Sequence, residues 1–148
     1  LWFFIRMAFN AIDGMLAREF NQQSALGAYL NELCDVISDS ALYAVLFAFS
    51  WLSTPLLALV IFLAILSEYT GVMAPLIGQE RRYDGPMGKS DRALWFSILI
   101  IILSLSSYFS VQYSTLSNIC NGILSLITIL LCFTIYHRIR NSLKQPTS

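Results

Sequence analysis

Long apolar stretches dominate this sequence, and short polar connections separate them. Four of the stretches have about the twenty residues with which an α-helix crosses the hydrocarbon core of a bilayer. They predict transmembrane helices over Leu33 to Trp51, Pro55 to Ile77, Ala93 to Phe109 and Ile119 to Tyr136. A fifth apolar piece, Leu1 to Phe9, is too short to span, so we expect an N-terminally truncated chain. The pattern predicts an all-α integral membrane protein, a bundle of transmembrane helices.

Composition agrees with a membrane environment. The chain is 57% hydrophobic and 12% charged, whereas a soluble domain carries roughly 25% charged residues. The formal net charge of zero argues against binding of nucleic acid. The chain has no linker or repeat and only a short polar tail from about Asn141, so residues 1–148 form one domain. We expect Cys34, Cys120 and Cys132 to be reduced and structural, because thiols in apolar helices behave as small hydrophobes.

Basic residues are sorted between the connections. The loops Ser53 to Thr54 and Ser110 to Asn118 carry no charge. By the positive-inside rule the other connections face the cytoplasm, and we expect a bacterial inner membrane protein with its site on that side. The basic residues of these connections and the tail are Arg18, Arg81, Arg82, Lys89, Arg92, Arg138, Arg140 and Lys144.

Two helical stripes carry oxygen ligands. At about 100° per residue, each stripe presents its side chains on one face of its helix. Carboxylates within membrane segments are costly and usually face a cavity, a partner or a metal. Oxygen ligands without His or Cys suit magnesium, manganese or calcium. The first stripe holds Asn10, Asp13 and Ala17, and the second holds Asn31, Asp35 and Asp39.

Small and basic residues accompany these ligands. Gly14 and Gly27 leave room for a backbone to approach a nucleotide or diphosphate closely. Arg18 can meet a phosphate bidentately. Each residue also has a structural explanation, because Asp and Asn often cap helices, Gly and Ala mediate helix packing in membranes, and Arg18 can anchor the helix at the interface. The joint spacing favours a functional site.

That spacing resembles the signature of the CDP-alcohol phosphatidyltransferase family, D-x2-D-G-x2-A-R-x8-G-x3-D-x3-D, in register from Asn10 to Asp35. Asn10 and Asn31 stand where the family has its first and third aspartates. The positions that fit are Asp13, Gly14, Ala17, Arg18, Gly27 and Asp35.

The resemblance implies a six-helix fold that here lacks the N-terminal amphipathic helix and the first transmembrane helix. It implies transfer of a phosphatidyl group from CDP-diacylglycerol to a small alcohol with release of CMP, in a homodimer that uses Mg²⁺ or Mn²⁺. Asp35 is then the base. The implied metal ligands are Asn10, Asp13, Asn31 and Asp35, and the CDP moiety is surrounded by Gly14, Ala17, Arg18 and Gly27. With two asparagines among the ligands, we expect weaker metal binding or a single ion.

A second polar cluster spans Gln79 to Arg92 and is predicted to face the same side. In the family the corresponding region binds the acceptor, and Lys89 and Arg92 resemble that element. The alternative is that this cluster is a solvated cytoplasmic loop, above all at Arg81 and Arg82. Asp39 and Glu68 are ionisable groups within membrane segments and therefore candidates for the substrate cavity.

Three other functions remain open. A transporter would use the intramembrane carboxylates as an ion path, but it does not account for the glycine and arginine spacing. A catalytically impaired family member would have lost its metal through Asn10 and Asn31. A family enzyme could also use a soluble donor such as CDP-ethanolamine.

Overall fold

The computed structural model describes residues 24–109 and 112–144. Two short 3₁₀ turns, Val45–Ala48 and Ala74–Ile77, follow the first two helices directly. No strand occurs in these residues, which confirms the all-α prediction. The α-helices are α1 (Ala25–Ala44), α2 (Thr54–Met73), α3 (Lys89–Phe109) and α4 (Tyr113–Leu143).

Two helices of the described ranges are long and apolar enough to cross a membrane by length and composition. They are Thr54–Ile77, which is α2 with its 3₁₀ extension, and Tyr113–Leu143, which is α4. The spans predicted from Pro55 and from Ile119 are therefore confirmed as apolar helices of membrane length. The other two predicted spans fall on α1 and α3.

The first described helix begins before the apolar span predicted from Leu33. Helix α1 begins at Ala25, because Ser24 caps it: the Ser24 Oγ accepts a hydrogen bond of 2.9 Å from the Gly27 N–H. An N-cap side chain satisfies a backbone donor that the first turn leaves without an intrahelical partner. The stripe of Asn31, Asp35 and Asp39 therefore lies within α1.

The predicted bounds of the last helix were too narrow. Helix α4 begins at Tyr113 and runs to Leu143, so most of the predicted loop Ser110 to Asn118 is helical, and the polar tail starts later than Asn141. The Tyr113 hydroxyl donates to the Ser50 carbonyl at 2.9 Å. Tertiary hydrogen bonds thus extend the helix through residues that hydropathy alone assigned to a loop.

Helices α2 and α4 share the most extensive interface of the bundle. Leu57 and Val60 on α2 and Leu124 and Ile127 on α4 are fully buried and belong to one hydrophobic cluster. Of the three cysteines, all free thiols, only Cys120 is buried.

Helices α1 and α3 also meet directly. The ring of Tyr43 on α1 stacks on that of Phe96 on α3, with centroids 3.8 Å apart. Both rings are buried. The stacked pair therefore fixes these two helices against each other in the middle of the bundle.

Neutral hydrogen bonds close one end of the bundle, at the turn between α1 and α2. The Asn121 side chain accepts from the Ser53 N–H at 2.8 Å and donates to the Trp51 carbonyl at 3.1 Å. The Ser117 hydroxyl donates to the same carbonyl at 2.9 Å. We call this the uncharged end. The opposite end, which holds the ion pairs described below, is the charged end.

The connection from α2 to α3, residues 79–88, lies against the last turns of α4. The Met87 N–H donates to Thr134 Oγ1 at 2.9 Å, and Arg138 Nε donates to the Asp84 carbonyl at 3.1 Å. The Arg82 guanidinium donates to the Asn141 carbonyl at 2.8 Å. Because its backbone is bonded to α4, this connection is held in place rather than free as a solvated loop.

Gly85 and Gly78 provide a matched test of this packing. Both have positive φ, +113° and +76°. A Cβ on Gly85 would lie 2.7 Å from Thr134 Cα, whereas a Cβ on Gly78 meets nothing within 4 Å. We expect Gly78→Ala to lower the free energy of unfolding by about 1 kcal/mol and Gly85→Ala to lower it by about 3 kcal/mol, since overpacking is added to backbone strain.

Thermal unfolding of the purified protein in detergent micelles measures the difference between these two variants. Equal losses for both would contradict the close packing of residues 79–88 on α4.

Candidate functional site

A cleft of about 430 Å³ opens at the charged end. Residues of all four helices and of the connection from α2 to α3 line it. Carboxylates and cations alternate around it. Its charged lining residues are Glu32, Asp35, Glu68, Arg81, Lys89, Asp91 and Arg138.

Helix α1 contributes the described part of the predicted metal motif. Asn31 and Asp35, one helical turn apart, both line the cleft. Gly27 is not among the residues that line it. A Cβ on Gly27 would lie 2.9 Å from the capping Ser24 Oγ, so the cap accounts for a small residue at this position.

The other motif residues predicted from the sequence lie outside the described residues. They are Asn10, Asp13, Gly14, Ala17 and Arg18. Within the described ranges, no three His, Cys, Asp or Glu residues are grouped as a metal site requires. The two donors that are described fit a hard divalent cation, since an amide and a carboxylate oxygen face the same cleft.

Lys89 contacts Asp35, the predicted base. Its Nζ lies 2.5 Å from Asp35 Oδ2. Lys89 begins α3, and the Gly88 N–H just before it donates to Asp91 Oδ2 at 2.9 Å, which closes the first turn. Two residues that the sequence placed in different clusters are therefore in contact.

Arg92 lies beneath the cleft rather than on its wall. The residue is 1% exposed, and its Nη2 lies 2.8 Å from Glu68 Oε1 and 3.7 Å from Asp39 Oδ2. Its Nη1 donates to Ser67 Oγ at 3.3 Å. A guanidinium buried among apolar helices needs such carboxylate partners, so this position supports the cleft from below.

The Glu68 carboxylate lies near cations from three elements. Besides Arg92 from α3, its carboxylate lies 3.6 Å from Arg138 Nη1 of α4 and 3.6 Å from Arg81 Nη2 of the α2 to α3 connection. Arg81 also pairs with Glu32 of α1, and Arg138 Nη1 donates to the Ser67 carbonyl. Glu68 is thus the common partner of three guanidinium groups.

Sequence reasoning found Glu68 and missed the role of Arg138. An ionisable residue in the middle of a membrane segment was the signal for Glu68. For Arg138 the positive-inside rule indicated only an interfacial anchor. The missed signal is the helical spacing of Thr134, Arg138 and Asn141, which places all three on the face of α4 that bonds residues 79–88.

An apolar groove adjoins the polar cleft. Its volume is about 870 Å³, and it runs along α1 and the C-terminal half of α2. Asn31, Glu32, Glu68 and Arg81 line both the groove and the cleft. The apolar lining of the groove includes Tyr29, Leu33, Val36, Ile65, Tyr69 and Val72. The two spaces therefore meet as one amphipathic site, polar at the end of the bundle and apolar along its side.

The profile of the CDP-alcohol phosphatidyltransferase family matches residues 1–134. The chain belongs to this family, a class of helical membrane proteins that transfer substituted phosphate groups and generally depend on divalent metal. It is thus an integral membrane protein. The motif that suggested this family in the sequence lies within the matched residues.

A curated relative of the chain is also a membrane protein. The chain is similar to the inner membrane protein YnbA of Escherichia coli strain K12, with 44% identity over 140 residues that cover 95% of this chain and 66% of the relative. The chain thus spans about two thirds of that protein's length. No solved structure shows a significant match to the chain.

The pair of Glu68 and Arg92 can be tested by a double-mutant cycle. We expect Glu68→Gln and Arg92→Met each to cost about 3 kcal/mol of stability, because either change removes one partner from a buried ion pair. The double variant should lose less than the sum of the single losses, by at least about 1 kcal/mol. Unfolding in detergent micelles is the measurement.

A matched control for this cycle is Glu80→Gln, the same chemical change at an exposed position. Exposed substitutions of this kind stay within about 0.5 kcal/mol of wild type. Strict additivity of the Glu68 and Arg92 losses would contradict a direct interaction.

Proposed function

We propose that the protein transfers a phosphatidyl group from CDP-diacylglycerol to a small alcohol and releases CMP. The observation that supports this best is the junction of the apolar groove with the charged cleft at Asn31, Glu32, Glu68 and Arg81. A donor with two acyl chains and a diphosphate needs both surfaces side by side. A soluble donor such as CDP-ethanolamine would leave the groove to a lipid acceptor, and competition between the two donors separates the two reactions.

The donor is proposed to lie with its acyl chains in the groove and its diphosphate in the cleft. Family membership supports a CDP-linked substrate in general. From the motif, Gly14, Ala17, Arg18 and Gly27 are proposed to surround the CDP moiety. A divalent ion, Mg²⁺ or Mn²⁺, would be held by Asn10, Asp13, Asn31 and Asp35 and would supply positive charge at the diphosphate.

By the family resemblance, Asp35, which lines the cleft, is proposed to be the base of the chemical step. Asp35 takes the proton of the acceptor hydroxyl, whose oxygen forms a new bond to the phosphorus attached to diacylglycerol. The bond from that phosphorus to the CMP oxygen breaks, and CMP leaves with the electron pair. Because phosphoryl transfer depends mostly on positioning and charge stabilisation, the cations around the cleft are as important as the base.

The acceptor is proposed to enter beside Lys89, which lines the cleft. Arg92 is proposed to support the acceptor site from beneath the cleft, because its guanidinium contacts Glu68 rather than the open space. Arg138 and Arg81 line the same cleft and extend the basic side of the proposed acceptor site. By the family resemblance, we also propose a homodimer with its sites at the cytoplasmic face of the membrane.

The proposal predicts metal-dependent CMP release. Full-length protein incubated with CDP-diacylglycerol, Mg²⁺ or Mn²⁺ and a panel of small alcohols should release CMP, and EDTA should stop the reaction. Asp35→Asn should lower the rate by at least about a hundredfold, the usual contribution of a positioned base, while the protein stays folded. Chromatographic quantification of CMP, with circular dichroism for the fold, is the measurement.

The control for Asp35→Asn is Glu80→Gln, which removes an exposed carboxylate and should leave the rate unchanged. Full activity of Asp35→Asn would remove Asp35 from the role of base. No CMP from folded wild-type protein with any acceptor would favour the catalytically impaired family member, because Asn10 and Asn31 both lack the charge of the family's aspartates.

A further inference from the structure

We propose that Arg81 binds the phosphate that joins diacylglycerol to the rest of the lipid donor. The inference rests on the proposed function, since it names a residue that holds the reacting phosphate group in that reaction. The acceptor hydroxyl attacks the phosphorus of this same group, so Arg81 faces both substrates.

Arg81 lies where the two spaces of the site meet. Four residues line both the groove and the cleft, and among them Arg81 carries the positive charge. Lys89 and Arg138 line the cleft but not the groove. A lipid with its acyl chains in the groove and its polar head in the cleft places its phosphate at this junction, because that phosphate joins the two parts of the molecule.

Three neighbours from different elements hold the Arg81 guanidinium in place. Its Nη1 pairs with Glu32 of α1, and its Nη2 lies 3.6 Å from Glu68 Oε2 of α2. Its central carbon lies 4.7 Å from the centroid of the Tyr83 ring, which is a cation–π distance. A side chain that is already held loses less conformational freedom when a ligand binds, and this favours affinity.

The Arg81 guanidinium also keeps donors for a further anion. A guanidinium has five N–H groups, and each of the two carboxylates contacts one terminal nitrogen. The Arg81 side chain is 28% exposed. Arg138, the other guanidinium in the described lining, is 1% exposed and donates to the carbonyls of Ser67 and Asp84. Arg81 is therefore the arginine of this lining that a phosphate can reach, and arginine can bind two phosphate oxygens at once.

The carboxylates next to Arg81 leave room for such a ligand. Glu68 also lies 2.8 Å from Arg92 Nη2 and 3.6 Å from Arg138 Nη1, so it repels a nearby phosphate less than an isolated carboxylate would. The Glu32 side chain is 27% exposed. Glu32 is therefore the partner of Arg81 that phosphate oxygens replace.

The neighbouring Arg82 provides a matched comparison. It belongs to the same connection from α2 to α3, but it is not among the residues that line the cleft or the groove. Its Nη2 donates to the Asn141 carbonyl at 2.8 Å. Substitution of Arg82 therefore removes the same charge from the same connection without touching the junction.

The proposal predicts a selective loss of lipid binding. Native mass spectrometry of the full-length protein in detergent with Mg²⁺ measures the Kd of dioleoyl phosphatidic acid and of dioleoylglycerol, which lacks the phosphate. We expect Arg81→Gln to weaken binding of phosphatidic acid by about tenfold, because a charge-assisted hydrogen bond is lost. Binding of dioleoylglycerol should not change, and Arg82→Gln should bind both lipids as wild type does.

Several results would overturn the proposal. They are equal binding of the two lipids by wild type, equal losses in Arg81→Gln and Arg82→Gln, and an equal loss for both lipids in Arg81→Gln. The same measurement with glycerol 3-phosphate separates a lipid phosphate from the phosphate of a soluble acceptor. Weaker binding of glycerol 3-phosphate by Arg81→Gln, with unchanged binding of phosphatidic acid, would assign Arg81 to the acceptor alone and contradict the proposal.

Lipid binding is measured without catalysis, so the two proposals can fail separately. Binding of phosphatidic acid that depends on Arg81, without CMP release by wild type, would support this inference and contradict the proposed reaction. CMP release at an unchanged rate in Arg81→Gln would do the reverse.

Discussion

The charged end of the bundle depends on one carboxylate. Arg92 and Arg138 have side chains only 1% and 2% exposed, and a guanidinium group buried in an apolar bundle is stable only with a carboxylate or carbonyl partner. Glu68 is near both, and near Arg81 as well. Because the three arginines come from α3, α4 and the connection between α2 and α3, few arrangements of these elements satisfy all of them at once.

This constraint extends to residues beyond the family match, which ends at residue 134. Arg138 and Asn141 follow that point, and both bond Asp84 in the connection from α2 to α3. That connection in turn leads into Lys89, whose ammonium group contacts Asp35. The last turns of α4 therefore help to set the position of a residue at the proposed site, although they contribute no residue to the motif.

The sequence predicted those features that depend on one helix at a time. Hydropathy located α2 and α4, and helical periodicity placed Asn31 and Asp35 on one face, where the structure shows both lining the cleft. The sequence did not predict features that depend on a contact between residues distant in the chain. Helix α4 begins at Tyr113, whose hydroxyl bonds Ser50, earlier than hydropathy predicted. The contact of Arg92 with Glu68, which lies on another helix, was not predicted.

The two ends of the bundle provide partners for their polar groups in different ways. At the uncharged end, Asn121 satisfies the turn at Ser53 with neutral hydrogen bonds, which avoid the high cost of a charge near hydrocarbon. At the charged end, Arg81, Lys89, Arg92 and Arg138 each lie near a carboxylate. Paired charges limit the cost of keeping cations in a partly enclosed cleft before an anionic substrate arrives. In the proposed reaction, the oxygens of the donor's diphosphate replace some of these carboxylate contacts. A cleft in which acidic and basic groups alternate is therefore suited to a substrate that brings its own negative charge, whereas a cleft of cations alone would be unstable without it.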